Sequence, residues 1–165
     1  MEERFYFAYG SNMDLSQMDF RCPAAKVAET VRLEGYRLAF CGRDPAGGVA
    51  TILKEEGSHV DGVLWKITRE CEESLDFYEG YPRFYGKETI RVKDQKGMET
   101  ESMAYVMNPP MRDCPAVPAK IYLDGIIKGR RQNGIPEEPV REAVKRTRRE
   151  RKDLKHKKGK AALMR

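Results

Sequence analysis

The order of strand-like and helix-like segments predicts an α+β domain with a mainly antiparallel sheet. Strand-like runs follow one another along the chain with a few helical segments between them, instead of alternating regularly with helices as in a parallel α/β fold. The chain has 165 residues, the size of one domain, and 40% of them are hydrophobic, which is enough for a folded core. We therefore expect one domain whose sheet is flanked by helices.

The chain begins with a predicted strand and a sharp turn. Arg4 to Tyr9 reads RFYFAY, an aromatic run rich in strand formers, and Gly10 ends it. Ser11 or Asn12 can cap a short helix that has Asp14 in its first turn. The turn is therefore expected to lead into the N-terminus of a helix.

Three more strand-like segments occupy the middle of the chain. They are Thr30 to Cys41, Val49 to Leu53 and Val60 to Ile67. Gly35 is a candidate bulge or turn, so the first of these segments is predicted to be either a strand or a bent hairpin.

A helix is predicted after the third of these segments. Thr68 can cap it, Glu79 is its last residue, and Gly80 is placed to stop it. Its predicted buried stripe consists of Cys71, Leu75 and Tyr78.

The remaining elements are two strands and a helix. The strands are Thr89 to Lys93 and Ser102 to Met107, with Lys96-Gly97 as the turn between them. Ala119 to Arg131 is predicted to be helical and to stop at Asn133-Gly134. The expected anchors of this helix are Tyr122, Ile126 and Ile127.

The positive charge is concentrated at the C-terminus. Residues 140–165 hold 12 Lys/Arg against 3 Asp/Glu, whereas residues 1–139 hold 19 Lys/Arg against 23 Asp/Glu. We therefore divide the chain into a mildly acidic domain, 1–139, and a basic extension, 140–165, that is helical or disordered. Val140, Val144 and Leu154 are too sparse to bury much of the extension.

Composition and motifs exclude several classes of protein. No apolar run approaches the length of a membrane span, and the N-terminus at Met1 to Arg4 lacks the pattern of a secretory signal, so we expect a cytoplasmic protein. Of the two histidines, His59 is predicted to be a surface residue and His156 lies in the basic extension. Neither of the common glycine-rich phosphate-binding loops is present, so no nucleotide cofactor is expected.

The cysteines are predicted to be inert core thiols. Their spacing includes no pair two residues apart and no nearby histidine, which argues against a zinc site, and no metal is expected. An even number allows two disulfides, but a cytosolic chain usually keeps such thiols reduced. The four are Cys22, Cys41, Cys71 and Cys114.

The turn after the first strand is one candidate binding site. Glycine at position 10 lets the backbone approach a ligand closely, and the helix that follows directs unpaired N–H groups at the same place. Such a turn suits a carboxylate or a polarised carbonyl. On pattern alone, a simple structural turn is the more common explanation.

Glu79 is a candidate general acid/base. The negative end of the helix dipole and the neighbouring Asp76 both disfavour its ionisation. Nearby rings that could desolvate it belong to Tyr78, Tyr81, Phe84 and Tyr85. All of these effects raise the pKa of Glu79 toward neutrality, where a general acid/base works best. The alternative is a solvent-facing glutamate at a helix end.

Seven segments in a shared order resemble the γ-glutamylcyclotransferase-like (AIG2-like) family. The first, YFAYGSNM, is the most specific, and the likeness extends to about Pro136. The segments are Tyr6 to Met13, Gly47 to Ile52, Val60 to Lys66, Leu75 to Gly80, Tyr105 to Asn108, Tyr122 and Asn133 to Pro136.

This resemblance implies a small, mainly antiparallel β-barrel of about five to six strands with flanking helices. It also implies a cofactor-free enzyme in which the α-amine of the substrate attacks its own γ-glutamyl carbonyl and releases 5-oxoproline. Glu79 corresponds to the catalytic glutamate of the family. The implied substrate-binding residues are Tyr6, Phe7, Ala8, Tyr9, Gly10, Ser11, Asn12 and Tyr122.

The sequence leaves open two alternative functions and the oligomeric state. The same cavity could hold a γ-glutamyl or carboxylate ligand without turnover. The basic extension could bind nucleic acid non-specifically, although no aromatic residues interleave its charges to stack on bases. The expected partner is a small γ-glutamyl substrate, and the sequence also allows a homodimer.

Overall fold

A computed structural model describes residues 4–164 as five strands, four α-helices and two short 3₁₀ turns. The N-terminal residues that lack a secretory pattern, Met1 to Glu3, and the last basic residue, Arg165, lie outside this range. The strands are β1 (Arg4–Ala8), β2 (Lys26–Cys41), β3 (Val49–Ile67), β4 (Tyr85–Lys93) and β5 (Glu99–Met107). The helices are α1 (Leu15–Arg21), α2 (Arg69–Glu79), α3 (Lys120–Gln132) and α4 (Glu138–Leu163). The 3₁₀ turns are Ser11–Met13 and Met111–Asp113.

The five strands close into a barrel in the order β1-β3-β2-β4-β5. All neighbouring pairs are antiparallel except β5 with β1, which closes the barrel through a parallel pairing of Tyr6 with Met103. The predicted α+β class and mainly antiparallel barrel are confirmed. The side chains of Phe7, Val63 and Val92 are completely buried in its core.

Strand β3 unites two segments that the sequence pattern separates. The segments 49–53 and 60–67 both pair with β2, in a register that runs from Cys41 with Val49 to Lys26 with Lys66. Between them, Tyr36 pairs with Lys54 and Glu34 with His59, so residues 55–58 bulge outward opposite Gly35. Gly35 has a φ of 82°, which confirms the predicted bulge.

Helix α1 begins later than expected. Ser11 and Asn12 belong to a 3₁₀ turn, and Asp14 is the residue that caps α1, its Oδ1 accepting a hydrogen bond from the backbone N–H of Ser16 at 3.0 Å. The prediction of a Ser11 or Asn12 cap was therefore wrong. The extra turn leaves the Asn12 side chain free for contacts inside the protein, where it is buried.

Helix α2 has the predicted ends. Thr68 Oγ1 accepts a hydrogen bond from the backbone N–H of Cys71 at 3.1 Å, and Gly80 ends the helix in the left-handed region with a φ of 65°. Cys71 and Leu75 are buried as expected, but Tyr78 is 42% exposed and does not complete the buried stripe.

Helix α3 packs closely against the turn after β1. A Cβ atom on Gly129 would lie 2.7 Å from the backbone nitrogen of Asp14, so this contact requires glycine. Asn133 donates a hydrogen bond to the Met13 carbonyl at 2.9 Å, and Ile126 is fully buried. These contacts hold residues 11–13 in place from the side opposite the barrel.

Helix α4 is partly packed and partly exposed. Val140, Ala143, Val144 and Thr147 are buried, and the helix contacts β2. The expectation that Val140 and Val144 bury little was wrong, because both fall on the same face of the first turns of the helix. Beyond Thr147 no described residue of α4 is buried.

Three of the four cysteines lie in the core and His59 lies on the surface, as predicted, but Cys114 does not belong to the core. All four cysteines are free, with Cys22, Cys41 and Cys71 buried and Cys114 half-buried. His59 lies exposed on β3. No helix within residues 4–164 is both long and apolar enough to cross a membrane.

Candidate active site

Glu79 lies half-buried at the end of α2, beside a cavity at one end of the barrel. The space inside has a volume of about 30 Å³. Residues from six different parts of the chain line it: Tyr6, Tyr9, Gly10, Ser11, Asn12, Ala50, Glu79, Tyr85, Tyr105 and Tyr122. The cavity is therefore built by the fold and not by one contiguous motif.

Three of the tyrosine hydroxyls are fixed by the barrel backbone. Tyr9 donates a hydrogen bond to the carbonyl of Tyr105, and Tyr85 donates to the carbonyl of Ala50 at 2.6 Å. The Tyr122 hydroxyl accepts from the backbone N–H of Ala50 at 2.9 Å. These bonds satisfy buried polar groups and place the rings as rigid walls around Glu79.

Glycine at position 10 keeps the turn close to the opposite wall. A Cβ atom on Gly10 would lie 3.2 Å from Cβ of Ala50 and 3.7 Å from the hydroxyl of Tyr122. The turn is also tied down through Asn12, whose carbonyl accepts a hydrogen bond from Trp65 Nε1 at 3.1 Å. A larger residue at position 10 would therefore fill part of the cavity.

A hydrogen-bond network links Glu79 to the turn and to α1. Asn12 Nδ2 donates to Glu79 Oε1 at 3.3 Å and to the hydroxyl of Tyr6 at 3.0 Å. Asn12 Oδ1 accepts from Arg21 Nη1 at 2.9 Å. Arg21 also lies over the ring of Tyr78, 4.5 Å from its centroid.

Burial raises the pKa of Glu79 above its ordinary value of 4.5. The positive charge of Arg21 and the hydrogen bond from Asn12 oppose the shift, but burial dominates. The predicted direction of the pKa shift is confirmed. Asp76, which was predicted to contribute to this shift, does not act on Glu79: it pairs with Lys87 at 2.8 Å and accepts a hydrogen bond from Tyr105. Burial and the negative charge of Glu79 raise the pKa of Tyr6, Tyr9 and Tyr122, so these hydroxyls stay protonated.

The rings that surround Glu79 differ from those next to it in sequence. Tyr78, Tyr81 and Phe84 are at least 37% exposed, and of the four predicted neighbours only Tyr85 lines the cavity. Tyr6, Tyr9, Tyr105 and Tyr122 supply the remaining rings.

A family model described as gamma-glutamyl cyclotransferase, AIG2-like, matches residues 6–124, a span that contains Glu79 and every residue that lines the cavity. The chain belongs to the AIG2-like gamma-glutamyl cyclotransferase family.

Comparison with individual proteins supports the same family. This chain is similar to gamma-glutamylcyclotransferase of Homo sapiens, with 34% identity over 143 residues that cover 82% of this chain and 74% of the human one. The Mus musculus protein of the same name is 32% identical over 144 residues, which cover 83% and 75%. A solved gamma-glutamyl cyclotransferase structure has a TM-score of 0.76 at 32% identity and covers 87% of each chain.

Most of the residues predicted to bind substrate meet in the cavity of this family member. Tyr6, Tyr9, Gly10, Ser11, Asn12 and Tyr122 line it together with Glu79. Phe7 and Ala8 do not, because their side chains are buried in the barrel. Sequence reasoning did not assign Ala50, Tyr105 or Arg21 to the site: Ala50 and Tyr105 lie in segments that resemble the family but were not singled out there, and the local pattern around Arg21 is that of an ordinary helix end.

No group of three or more metal-ligating side chains occurs among residues 4–164. The cavity instead combines one carboxylate with amide and hydroxyl groups that donate and accept hydrogen bonds. Such a set can hold a polar substrate and move a proton.

Proposed function

We propose that this protein is a cofactor-free enzyme that cyclises a γ-glutamyl group. The α-amine of the substrate attacks the γ-carbonyl carbon, the new C–N bond closes the ring, and the old γ-amide C–N bond breaks. The products are 5-oxoproline and a free amino acid or amine. The observation that carries the proposal is Glu79, a half-buried carboxylate of raised pKa in a hydrogen-bonding cavity of a family member.

Glu79 would move both protons of the reaction. The α-ammonium must lose a proton before it can attack, and the departing nitrogen must gain one before it leaves. A carboxylate with a raised pKa is a stronger base than an exposed one and, once protonated, remains a competent acid. The substrate supplies the nucleophile, so the site needs no activated side chain for attack.

The turn and the tyrosines would hold the γ-glutamyl group. Gly10 and Ser11 line the cavity, and we propose that backbone N–H groups of this turn donate to a substrate carboxylate or to the developing oxyanion, where losing one such donor typically costs about 2.7 to 4 kcal/mol. The hydroxyl of Tyr6 accepts its hydrogen bond from Asn12, so its own proton is available to a ligand.

The test is a search for 5-oxoproline with a panel of γ-glutamyl compounds. We expect the wild-type protein to form it and Glu79→Gln to lower kcat by about 10² to 10⁴, the usual contribution of a general acid/base. Glu73→Gln is the matched control, because Glu73 lies on the same helix, is 71% exposed and pairs with Arg69.

Two results would redirect the proposal. Product formation that survives Glu79→Gln unchanged contradicts the role of Glu79. Thermal stabilisation by γ-glutamyl compounds without any product indicates a binding module with the same cavity. A cytoplasmic location and a homodimer stay predictions from the sequence.

A further inference from the structure

Arg21 connects α1 to α2, the helix that carries Glu79. It is the last residue of α1, where the negative end of the helix dipole favours a cation. Its carbonyl accepts a hydrogen bond from Ser74 Oγ of α2 at 2.7 Å, and its guanidinium lies over Tyr78 of the same helix. The end of α1 is thereby attached to the helix that carries Glu79.

The contact between Arg21 and Asn12 determines which way the Asn12 amide faces. A guanidinium carries only donors, so the Asn12 atom that faces Arg21 Nη1 must be the oxygen. The NH₂ group of the amide is then directed at Glu79 Oε1 and at the Tyr6 hydroxyl. Asn12 is only 2% exposed, so water has little access with which to satisfy the opposite orientation.

Arg21 also supplies the positive charge that acts on the Glu79 carboxylate in this site. Its charge stabilises the ionised form of Glu79, against the effect of burial. The other titratable groups that interact with Glu79 come from β1, the turn after it, β4, β5 and α3, and all are tyrosines with raised pKa: Tyr6, Tyr9, Tyr85, Tyr105 and Tyr122.

We propose that Arg21 is a positioning residue for the cyclisation, which fixes the Asn12 amide so that it donates to Glu79 and which supplies the countercharge of the carboxylate. This inference rests on the proposed function, because it assigns a part in that reaction. Arg21 need not contact the reacting atoms, since it acts through Asn12 and through its charge. Removing it leaves the Asn12 amide free to turn its oxygen toward Glu79, where two acceptors would repel each other.

The test compares Arg21→Gln with Arg21→Lys. Glutamine has no charge, and its side chain carries both a donor and an acceptor, so it no longer dictates the orientation of Asn12. Lysine keeps the charge and carries only donors, so Arg21→Lys is expected to retain part of the control over the Asn12 amide and part of the countercharge of Glu79. Arg69→Gln is the matched control, because Arg69 is an exposed arginine on α2 that pairs with Glu73.

The first measurement follows the Glu79 carboxyl carbon by NMR as pH changes, with the signal assigned by its absence in Glu79→Gln. We expect the titration midpoint of Glu79 to rise by about one pH unit in Arg21→Gln, the lower end of the effect of a nearby opposite charge, and to stay in place in Arg69→Gln. The Asn12 side-chain amide protons should exchange with solvent faster in Arg21→Gln than in wild type.

The second measurement is the pH profile of kcat/KM. The acid limb should move to higher pH in Arg21→Gln by the same amount, with a loss of about tenfold or more at neutral pH from the misplaced amide. An unchanged Glu79 midpoint with unchanged Asn12 exchange would overturn the proposal. If the wild-type protein forms no 5-oxoproline, the proposed function fails, while the NMR titration still decides whether Arg21 controls Asn12 and Glu79.

Discussion

The cavity at Glu79 and helix α4 are built in opposite ways. The cavity takes ten residues from six parts of the chain, and most of its polar side chains have a protein partner. Helix α4 takes 26 consecutive residues, of which four are buried, and most of its Lys and Arg side chains are exposed. The proposed site was therefore found from the environment of one carboxylate and not from the density of charge along the chain.

The two regions also affect stability in opposite directions. Burying an ionisable group such as Glu79 costs free energy, which is why its pKa rises. Burying Val140 and Val144 against the barrel stabilises the fold and leaves the cavity untouched. Changes in the two regions should therefore separate activity from stability.

The largest expected effect on stability is the loss of α4 after its first two residues. A chain that ends at Pro139 lacks Val140 and Val144, and each buried valine contributes about 1.5 to 3 kcal/mol. We expect the free energy of unfolding, measured with urea, to fall by at least about 3 kcal/mol.

A chain that ends at Thr147 is the matched control for that truncation. It keeps every buried residue of α4 and should lose less than about 1 kcal/mol, since Glu150 makes one partly exposed ion pair with Arg146 and one long ion pair of 3.9 Å with Arg37. Equal stability of the two truncated chains would show that the first turns of α4 do not stabilise the barrel.

The next largest effect is a gain in stability when Glu79 is replaced, in contrast to the loss expected when α4 is removed. Because its pKa is higher in the folded chain than in the unfolded one, the ionised carboxylate destabilises the fold at neutral pH. This cost is relieved as the pH falls through the folded-state pKa toward 4.5. We therefore expect Glu79→Gln to melt at a higher temperature than wild type at neutral pH, with a difference that shrinks as the solution becomes acidic.

Glu73→Gln again provides the comparison, since Glu73 is exposed and its replacement should not produce this pH-dependent difference. A lower melting temperature of Glu79→Gln at neutral pH would mean that the hydrogen bond from Asn12 outweighs burial. In that case Glu79 would stabilise the folded chain instead of destabilising it.

Local patterns predicted most of the fold but divided β3 incorrectly. Apolar alternation marks the buried parts of β3, and the helix ends at Thr68 and Gly80 follow from capping chemistry. Residues 55–58 are polar and include Gly57, so they resemble a loop. They bulge out of a long two-stranded ladder, where few side chains are buried and periodicity carries little information.

Local patterns predict even less of the candidate site, because its residues come together only through the tertiary fold. Glu79 could be predicted because a helix end and a motif place it, and the direction of its pKa shift could be predicted too. Among the residues around it, the resemblance implied Tyr6, Tyr9 and Tyr122, but it did not single out Ala50 and Tyr105, which reach the cavity from β3 and β5 through the closure of the barrel. Arg21 escaped notice because an arginine at the end of an amphipathic helix usually faces solvent.

The smallest expected effect on stability and turnover comes from removing residues 148–165, which hold 9 Lys/Arg against 2 Asp/Glu. None of these residues lines the cavity, so 5-oxoproline formation should be unchanged. Binding to a polyanion such as heparin should weaken strongly, because this binding depends on the number of cations that meet phosphate or sulfate groups and falls steeply with salt. The measurement is the salt concentration at which each chain elutes from a heparin column. Elution at the same salt concentration would place the anion-binding surface outside residues 148–165, and would remove the separation between the proposed active site and the charged end of α4.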